Sequence, residues 1–192
     1  GEKYGSEEGR KLLPDEDSER EMYHETKRFL RECGYERYEI SNYAKPGWEC
    51  RHNIGYWKRV PYLGFGVGAA SLWKEKRWSN IRDRRQYVAL WKEHKPREAS
   101  RMIRENMQMI SVREAQEETF FLGLRMMEGV SESRFEDTFG CAIEDVYGKE
   151  LKKLEADGLV QREGGKIFLT DRGIDISNTV MTWFLQDEEE EE

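Results

Sequence analysis

A single histidine, His52, lies in a stretch of high aromatic content and is the side chain with the clearest chemical potential. The segment from Tyr38 to Trp73 combines it with three tryptophans and five tyrosines or phenylalanines. Aromatic side chains around one imidazole form an apolar slot with a single nitrogen donor, which suits a large planar ligand. His52, Tyr56 and Trp57 are therefore the candidate residues for binding such a ligand.

Residue types alone leave several roles possible for His52. A neutral imidazole is a good ligand for iron, and flat aromatic walls suit a porphyrin, so an axial heme ligand is chemically sensible. A hydrogen-bonded structural histidine would leave the same pattern. Cys50 and His52 form a C-x-H pair, but two ligands without further partners make a poor zinc site.

A glycine run follows the histidine, with Gly64, Gly66 and Gly68 inside the segment LGFGVGAAS. Spaced glycines let backbone amides approach a nucleotide or nucleoside. The run lacks the trailing helix and downstream acid of a dinucleotide site, so tight strand packing explains it equally well. Glu39 and Ser41 at the end of a predicted strand are open to the same two interpretations, a site or a strand end.

The elements that must position these residues alternate between helix and strand in the N-terminal half. After a loop in the first dozen residues, the patterns predict a helix from Pro14 to Cys33, a strand at 35–41, a long loop at 44–60 that carries HNIGYW, a buried strand at 62–73, a helix at 83–94 and a linker at 96–100. Helix, glycine and strand in succession are typical of an α/β layer. We therefore expect an α/β class for this half.

The C-terminal half has a different pattern. It predicts a helix opened by a capping box at Ser111 and ending near Gly129, helices at 131–139 and 143–157, a hairpin at 159–169 and a last helix capped by Thr170. Three helices, a hairpin and a helix resemble a winged-helix domain. The predicted fold class is thus α/β followed by a mainly α, winged-helix-like domain.

A winged-helix domain raises nucleic-acid binding as a separate functional class. The candidate recognition helix at 143–157 carries three lysines but also five acidic residues, so repulsion from phosphates offsets the attraction. The net charge of the chain is −7, and six of these charges lie in the acidic tail at 187–192. With a body near neutrality, we expect no nucleic-acid partner.

Composition also bears on the compartment and on the number of domains. The 192 residues allow one large domain or two small ones. Three distant cysteines imply no disulfide framework and fit a reducing cytosol. The sequence shows no apolar leader and no run of roughly 18 apolar residues, so we expect a cytoplasmic chain without a membrane span.

Five motifs in order resemble one known family. They are YEISNYAKPGWECRHN, HN-x-x-YW at 52–57, LGFGVGAAS, FLGLRMMEGV and LTDRGIDISNTV. Together they resemble the oxygen-independent coproporphyrinogen III oxidase-like radical S-adenosylmethionine proteins, and HN-x-x-YW is similar to the heme-chaperone branch of that family. The resemblance implies three parts: the C-terminal portion of a partial TIM-like barrel in residues 1–95, a winged-helix-like domain in 96–186, and the acidic tail at 187–192.

The resemblance also implies ligands and partners. Heme or a porphyrin would bind at His52, with Tyr56 and Trp57 beside the macrocycle, for delivery to heme-acceptor proteins. The alternatives are coproporphyrinogen III oxidation by the intact protein, as in the genuine oxidases of the family, and an interaction module of the winged-helix type.

S-adenosylmethionine is the second ligand that the resemblance implies, at Gly66, Val67 and Ala70. Ala70 departs from the histidine that many members have there. The family's C-x-x-x-C-x-x-C motif, which binds a 4Fe–4S cluster, does not occur in this sequence. We therefore expect a fragment or a natural truncation without radical chemistry of its own, and an incomplete barrel whose open strand edges favour self-association.

Overall fold

The computed structural model describes residues 13–185; the predicted N-terminal loop and the acidic tail lie outside the described residues. Within this range the fold is mixed α/β. The helices are α1 (Glu16–Glu32), α2 (Arg51–Trp57), α3 (Arg84–Glu93), α4 (Pro96–Met102), α5 (Val112–Gly123), α6 (Glu132–Phe139), α7 (Ile143–Ala156), α8 (Asp171–Asp175) and α9 (Ser177–Thr182). The strands are β1 (Glu36–Glu39), β2 (Asn42–Ala44), β3 (Ala70–Trp73), β4 (Lys76–Asn80), β5 (Arg104–Met109), β6 (Val130–Ser131), β7 (Val160–Glu163) and β8 (Lys166–Leu169).

The strands form three small sheets, ordered β1-β2, β3-β4-β5 and β6-β8-β7. Every pairing among the described strands is antiparallel, so the parallel α/β layer expected of a partial barrel is not what these strands form. Each of the three sheets contains one two-residue connection, at 40–41, 74–75 and 164–165, and a link this short joins only antiparallel strands. Lys74 and Glu75 form such a link, and both have the positive φ that a mirror-image hairpin turn requires (52° and 54°).

Three further predictions for the N-terminal half need correction. The HNIGYW segment is not a loop but helix α2. Only Ala70–Trp73 of the predicted strand at 62–73 is a strand, and the glycine run before it is a loop tied to β3 by a bridge between Tyr62 and Leu72. The predicted linker at 96–100 is part of helix α4. The predicted helices at 14–33 and 83–94 are confirmed as α1 and α3.

The C-terminal half packs around one aromatic cluster. The ring of Phe120 on α5 stacks on Phe184 at 4.5 Å between centroids and meets the rings of Tyr147 and Phe135 edge-on at 4.6 Å and 5.8 Å. All four side chains are almost fully buried. The predicted helices and hairpin of this half are confirmed with two corrections. Helix α5 ends at Gly123 and not near Gly129, and the last helix breaks at Ile176 into α8 and α9.

The capping box that opens α5 gives a first prediction. Ser111 Oγ accepts a hydrogen bond from the Glu114 amide at 3.1 Å, and Glu114 Oε2 accepts one from the Ser111 amide at 2.7 Å. We expect Ser111→Ala to lower the free energy of unfolding by about 1 kcal/mol, because one amide of the first turn loses its acceptor. Urea unfolding measures the change. Ser100→Ala, inside α4, is the control and should not lower stability; an equal loss in both variants would contradict a capping effect.

Candidate functional site

Helix α2 places His52 and Tyr56 on one side, a single turn apart. Their ring centroids are 4.7 Å apart in an edge-to-face arrangement, and Tyr56 meets Tyr62 in the same way at 4.7 Å. The His52 side chain is exposed, and no hydrogen bond to its ring is found within the described residues. The imidazole is therefore oriented by an aromatic neighbour while its nitrogens remain open to an external ligand.

Trp57 lies on a different side of the same helix. Five helical positions separate it from His52, which is about 140° around the axis. The Arg125 guanidinium lies over the Trp57 ring, 4.5 Å from its centroid. The structure thus brings His52 and Tyr56 together but turns Trp57 away from them, toward the C-terminal half.

Arg125 leads from Trp57 to a buried carboxylate. Glu39, at the end of β1, is fully buried, and Arg125 Nη2 lies 3.3 Å from its Oε2. The other Glu39 oxygen accepts hydrogen bonds from the Ser41 amide at 2.9 Å and from Asn42 Nδ2 at 2.5 Å. Because a buried charge needs several such partners, the residues of the YEISN motif serve to hold Glu39 in place.

This cluster joins two distant segments of the chain through the backbone as well. The Ile40 amide donates to the Arg125 carbonyl at 3.0 Å, and the Met127 amide donates to the Tyr38 carbonyl at 3.1 Å. Three motifs, YEISN, HN-x-x-YW and FLGLRMMEGV, therefore meet at one place. Sequence reasoning missed Arg125, and the available signal was a lone arginine within the otherwise apolar segment FLGLRMM.

The glycine run forms a loop held by two buried polar residues that sequence reasoning also missed. Asn80 Nδ2 donates to the carbonyls of Gly66 at 2.8 Å and Gly64 at 3.3 Å, and Ser71 Oγ accepts from the Gly64 amide at 3.0 Å. A side chain at Gly64 would place Cβ 2.1 Å from the Ala70 carbonyl oxygen, so this glycine is required for packing.

The three positions predicted for S-adenosylmethionine lie on the outer part of this loop and at the start of β3. Gly66 has a φ of 99°, and a Cβ there would meet no atom within 4 Å. The Val67 and Ala70 side chains are exposed. The loop therefore presents an open backbone position with small or apolar neighbours, which is compatible with contact to a nucleoside.

A cavity of about 440 Å³ opens on the other side of α2, between the end of that helix, α5 and α6. Trp57 lines it together with charged side chains, of which Lys58 and Lys166 both pair with Glu128. Burial raises the pKa of Glu128, but the hydrogen bond and charge of Lys58 and the charge of Lys166 outweigh it, and the pKa lies below its usual value. An ionised Glu128 therefore stabilises the fold at neutral pH, and this contribution is lost as the pH falls through the lowered pKa.

Metal ligands and membrane spans were sought in the described part of the chain. Residues 13–185 contain no group of three or more histidine, cysteine, aspartate or glutamate side chains arranged to hold a metal ion. None of the described helices has the length and apolar character needed to cross a bilayer.

Comparison with known proteins shows that the chain is similar to HemN in one domain and in its fold. Residues 110–176 match the family described as the HemN C-terminal domain. The fold is similar to that of coproporphyrinogen III oxidase (HemN) from Escherichia coli, a radical SAM enzyme, with a TM-score of 0.63 and 19% sequence identity; the match covers 90% of this chain and 42% of that one. Residues 110–176 are therefore similar to the HemN C-terminal domain, and the fold of the chain is similar to that of HemN.

The particular relatives are heme chaperones. The chain is 34% identical over 176 residues to the heme chaperone HemW of Lactococcus lactis, covering 92% of this chain and 44% of the relative. It is 33% identical over 177 residues to HemW of Bacillus subtilis, covering 92% and 45%. The chain is thus a homologue of the HemW proteins over most of its own length and spans a little under half of theirs, which confirms the family resemblance seen in its motifs.

Proposed function

We propose that this chain is the C-terminal portion of a heme chaperone that binds heme as its cargo, with His52 as the iron ligand. The observation that carries the proposal is the exposed His52 imidazole, oriented edge-on by Tyr56 and without a protein hydrogen bond in the described residues. Similarity to HemW proteins over 92% of the chain supports the choice of ligand.

The contacts support different roles for the three predicted heme residues. His52 offers a ring nitrogen to iron, and Tyr56, itself packed edge-on against Tyr62, keeps the imidazole plane fixed. Burial raises the pKa of the Tyr62 phenol, so this support stays neutral. Trp57 packs under Arg125 and thereby anchors α2 on the side opposite to His52. It does not pack against the macrocycle beside Tyr56.

The remaining features of the resemblance belong to the same proposal. We infer that residues 1–95 belong to the C-terminal part of a partial barrel in the whole protein and that 96–186 form the winged-helix-like domain. S-adenosylmethionine would lie against Gly66, Val67 and Ala70, where the loop is open and exposed. A 4Fe–4S cluster would supply reductive cleavage of S-adenosylmethionine when bound, but no cysteine spacing in this chain fits it.

Hemin titration of the 192-residue chain tests the iron ligand. We expect a shifted Soret band on binding, and we expect His52→Ala to abolish this band or to raise the apparent Kd at least about tenfold, because the loss of an axial ligand exceeds about 1.4 kcal/mol. His94→Ala is the matched control and should behave as the unchanged chain. Identical spectra and affinities for His52→Ala and the unchanged chain would remove His52 as the ligand.

A second candidate function is coproporphyrinogen III oxidation by the whole protein, which the fold similarity to HemN and the match to the HemN C-terminal domain favour. Anaerobic turnover of coproporphyrinogen III with S-adenosylmethionine by a cluster-containing longer form separates the two. Decarboxylation would favour the oxidase, and heme transfer without turnover would favour the chaperone.

A further inference from the structure

The cavity behind α2 has the size and lining of a ligand site. Its volume of about 440 Å³ lies in the range of small-molecule pockets. One part of its wall is apolar and consists of Trp57, Pro61, Met126, Val130, Phe135 and Phe139. Trp57 Nε1 is buried and has no hydrogen-bond partner in the described residues, so this wall also contains an unused donor.

The rest of the lining has an excess of positive charge. Four cations, Lys58, Arg59, Arg134 and Lys166, face two carboxylates, Glu75 and Glu128. The whole chain of 192 residues carries a net charge of −7, and six of these negative charges lie in the tail at 187–192. The rest of the chain is therefore close to neutral. Positive charge is therefore concentrated in this cavity.

The pairing of these charges shows which of them are open to a ligand. Arg59 is saturated, because its guanidinium binds Glu75 at 2.7 Å and Glu118 at 2.8 Å. Lys58 and Lys166 share the single carboxylate of Glu128. Arg134 donates to the Lys58 carbonyl at 3.0 Å, and no carboxylate pairs with it among residues 13–185.

We propose that this cavity binds a small molecule with an apolar body and carboxylate arms, which Arg134 and Lys166 bind while Trp57 and Phe139 contact the body. Arginine and lysine form charge-assisted hydrogen bonds with carboxylates. The site does not need iron ligation, because it lies on the side of α2 that His52 does not face. Two sources supply this chemistry: the propionate edge of a tetrapyrrole and the head of a fatty-acid-like carboxylate.

Titration with metal-free protoporphyrin IX and with laurate, each against the 192-residue chain, tests the inference. Metal-free porphyrin keeps its propionates but offers no iron to His52. We expect at least one of the two probes to bind, and we expect the double change Arg134→Gln and Lys166→Gln to weaken that binding at least about tenfold. Lys152→Gln, on the exposed side of α7, should leave it unchanged. Protoporphyrin IX dimethyl ester, with its carboxylates masked, should bind at least about tenfold more weakly than the free acid.

The outcomes separate cleanly. If the porphyrin binds, and if the double variant and the ester both weaken this binding, the ligand is the propionate edge of a tetrapyrrole. If only laurate binds, and the double variant weakens its binding, the ligand is a fatty-acid-like carboxylate. Both results support the site. Absence of binding by both probes, or equal affinity in the double variant and for the ester, overturns it. The ester comparison needs no variant and stays decisive if the double variant does not fold. A failed hemin titration alongside a positive result here would remove the proposed function and leave this site.

Discussion

Replacing Arg125 with methionine is expected to lower the free energy of unfolding by about 3 kcal/mol at neutral pH, because it leaves a fully buried carboxylate without its cation. Glu39 keeps its hydrogen bonds from Ser41 and Asn42, which places the loss at the lower end of the range for broken buried pairs. Methionine preserves much of the apolar contact with Trp57. Urea unfolding monitored by circular dichroism measures the change.

A double-mutant comparison isolates the charge. In a Glu39→Gln background the buried group is neutral, so Arg125→Met should cost only about 1 kcal/mol there. Arg101→Met, on the exposed surface of α4, is the matched control and should change stability by no more than about 0.5 kcal/mol. If Arg125→Met costs the same in the unchanged chain and in the Glu39→Gln background, the guanidinium stabilises the fold through packing and not through charge.

Gly129→Ala is expected to be at least as damaging, with a loss of about 3 kcal/mol or more from backbone strain and overpacking together. Gly129 has a φ of 70°, and an added Cβ would lie 2.1 Å from the Ile167 carbonyl oxygen and 2.6 Å from Phe168 Cβ. Both atoms belong to β8, so the strand itself must move. Thermal and urea unfolding report the loss, and the adjoining cavity should lose affinity for its probes.

Gly140→Ala separates the two causes. Gly140 has nearly the same φ, 72°, but an added Cβ there would meet no atom within 4 Å. Its substitution should therefore cost only about 1 kcal/mol, from backbone strain alone. If both alanine variants lose the same stability, the close approach of β8 to Gly129 is not the cause.

Local signals were enough to predict much of the C-terminal half. Ser111 with Glu114 marked the start of α5, Gly140 marked the end of α6, and Gly164 with Gly165 marked the hairpin between β7 and β8. Each of these signals acts through atoms only a few residues apart, so no knowledge of the rest of the chain was needed. The family resemblance was equally a property of the residues alone.

The N-terminal half was harder because its turns and helices lack such signals. Lys74 and Glu75 make the β3–β4 hairpin without an asparagine or glycine, so sequence reasoning missed β4 and with it the sheet. Helix α2 has seven residues and no side-chain cap, and Gly55 lies within it. A helix this short depends on tertiary packing, which explains why its sequence predicted a loop.

The sequence indicated which residues to consider for the candidate site but not how their side chains are arranged. The ring contact between His52 and Tyr56 and the turn of Trp57 toward Arg125 both followed only once α2 was known to be a helix. Asn80, which holds the glycine loop, is distant in sequence from the carbonyls that it binds.

The sequence by itself determined the family resemblance, the caps and core of the C-terminal half, and the choice of His52 as the proposed iron ligand. Only the tertiary structure decided that His52 and Trp57 lie on different sides of α2. It also decided that Glu39 and Arg125, separated by 86 positions, form one buried pair, and that Trp57 lines a cationic cavity. The physical reason is the distance along the chain over which each interaction acts. Capping and turn formation depend on neighbouring residues, whereas buried ion pairs and cavities arise only when distant segments are packed together.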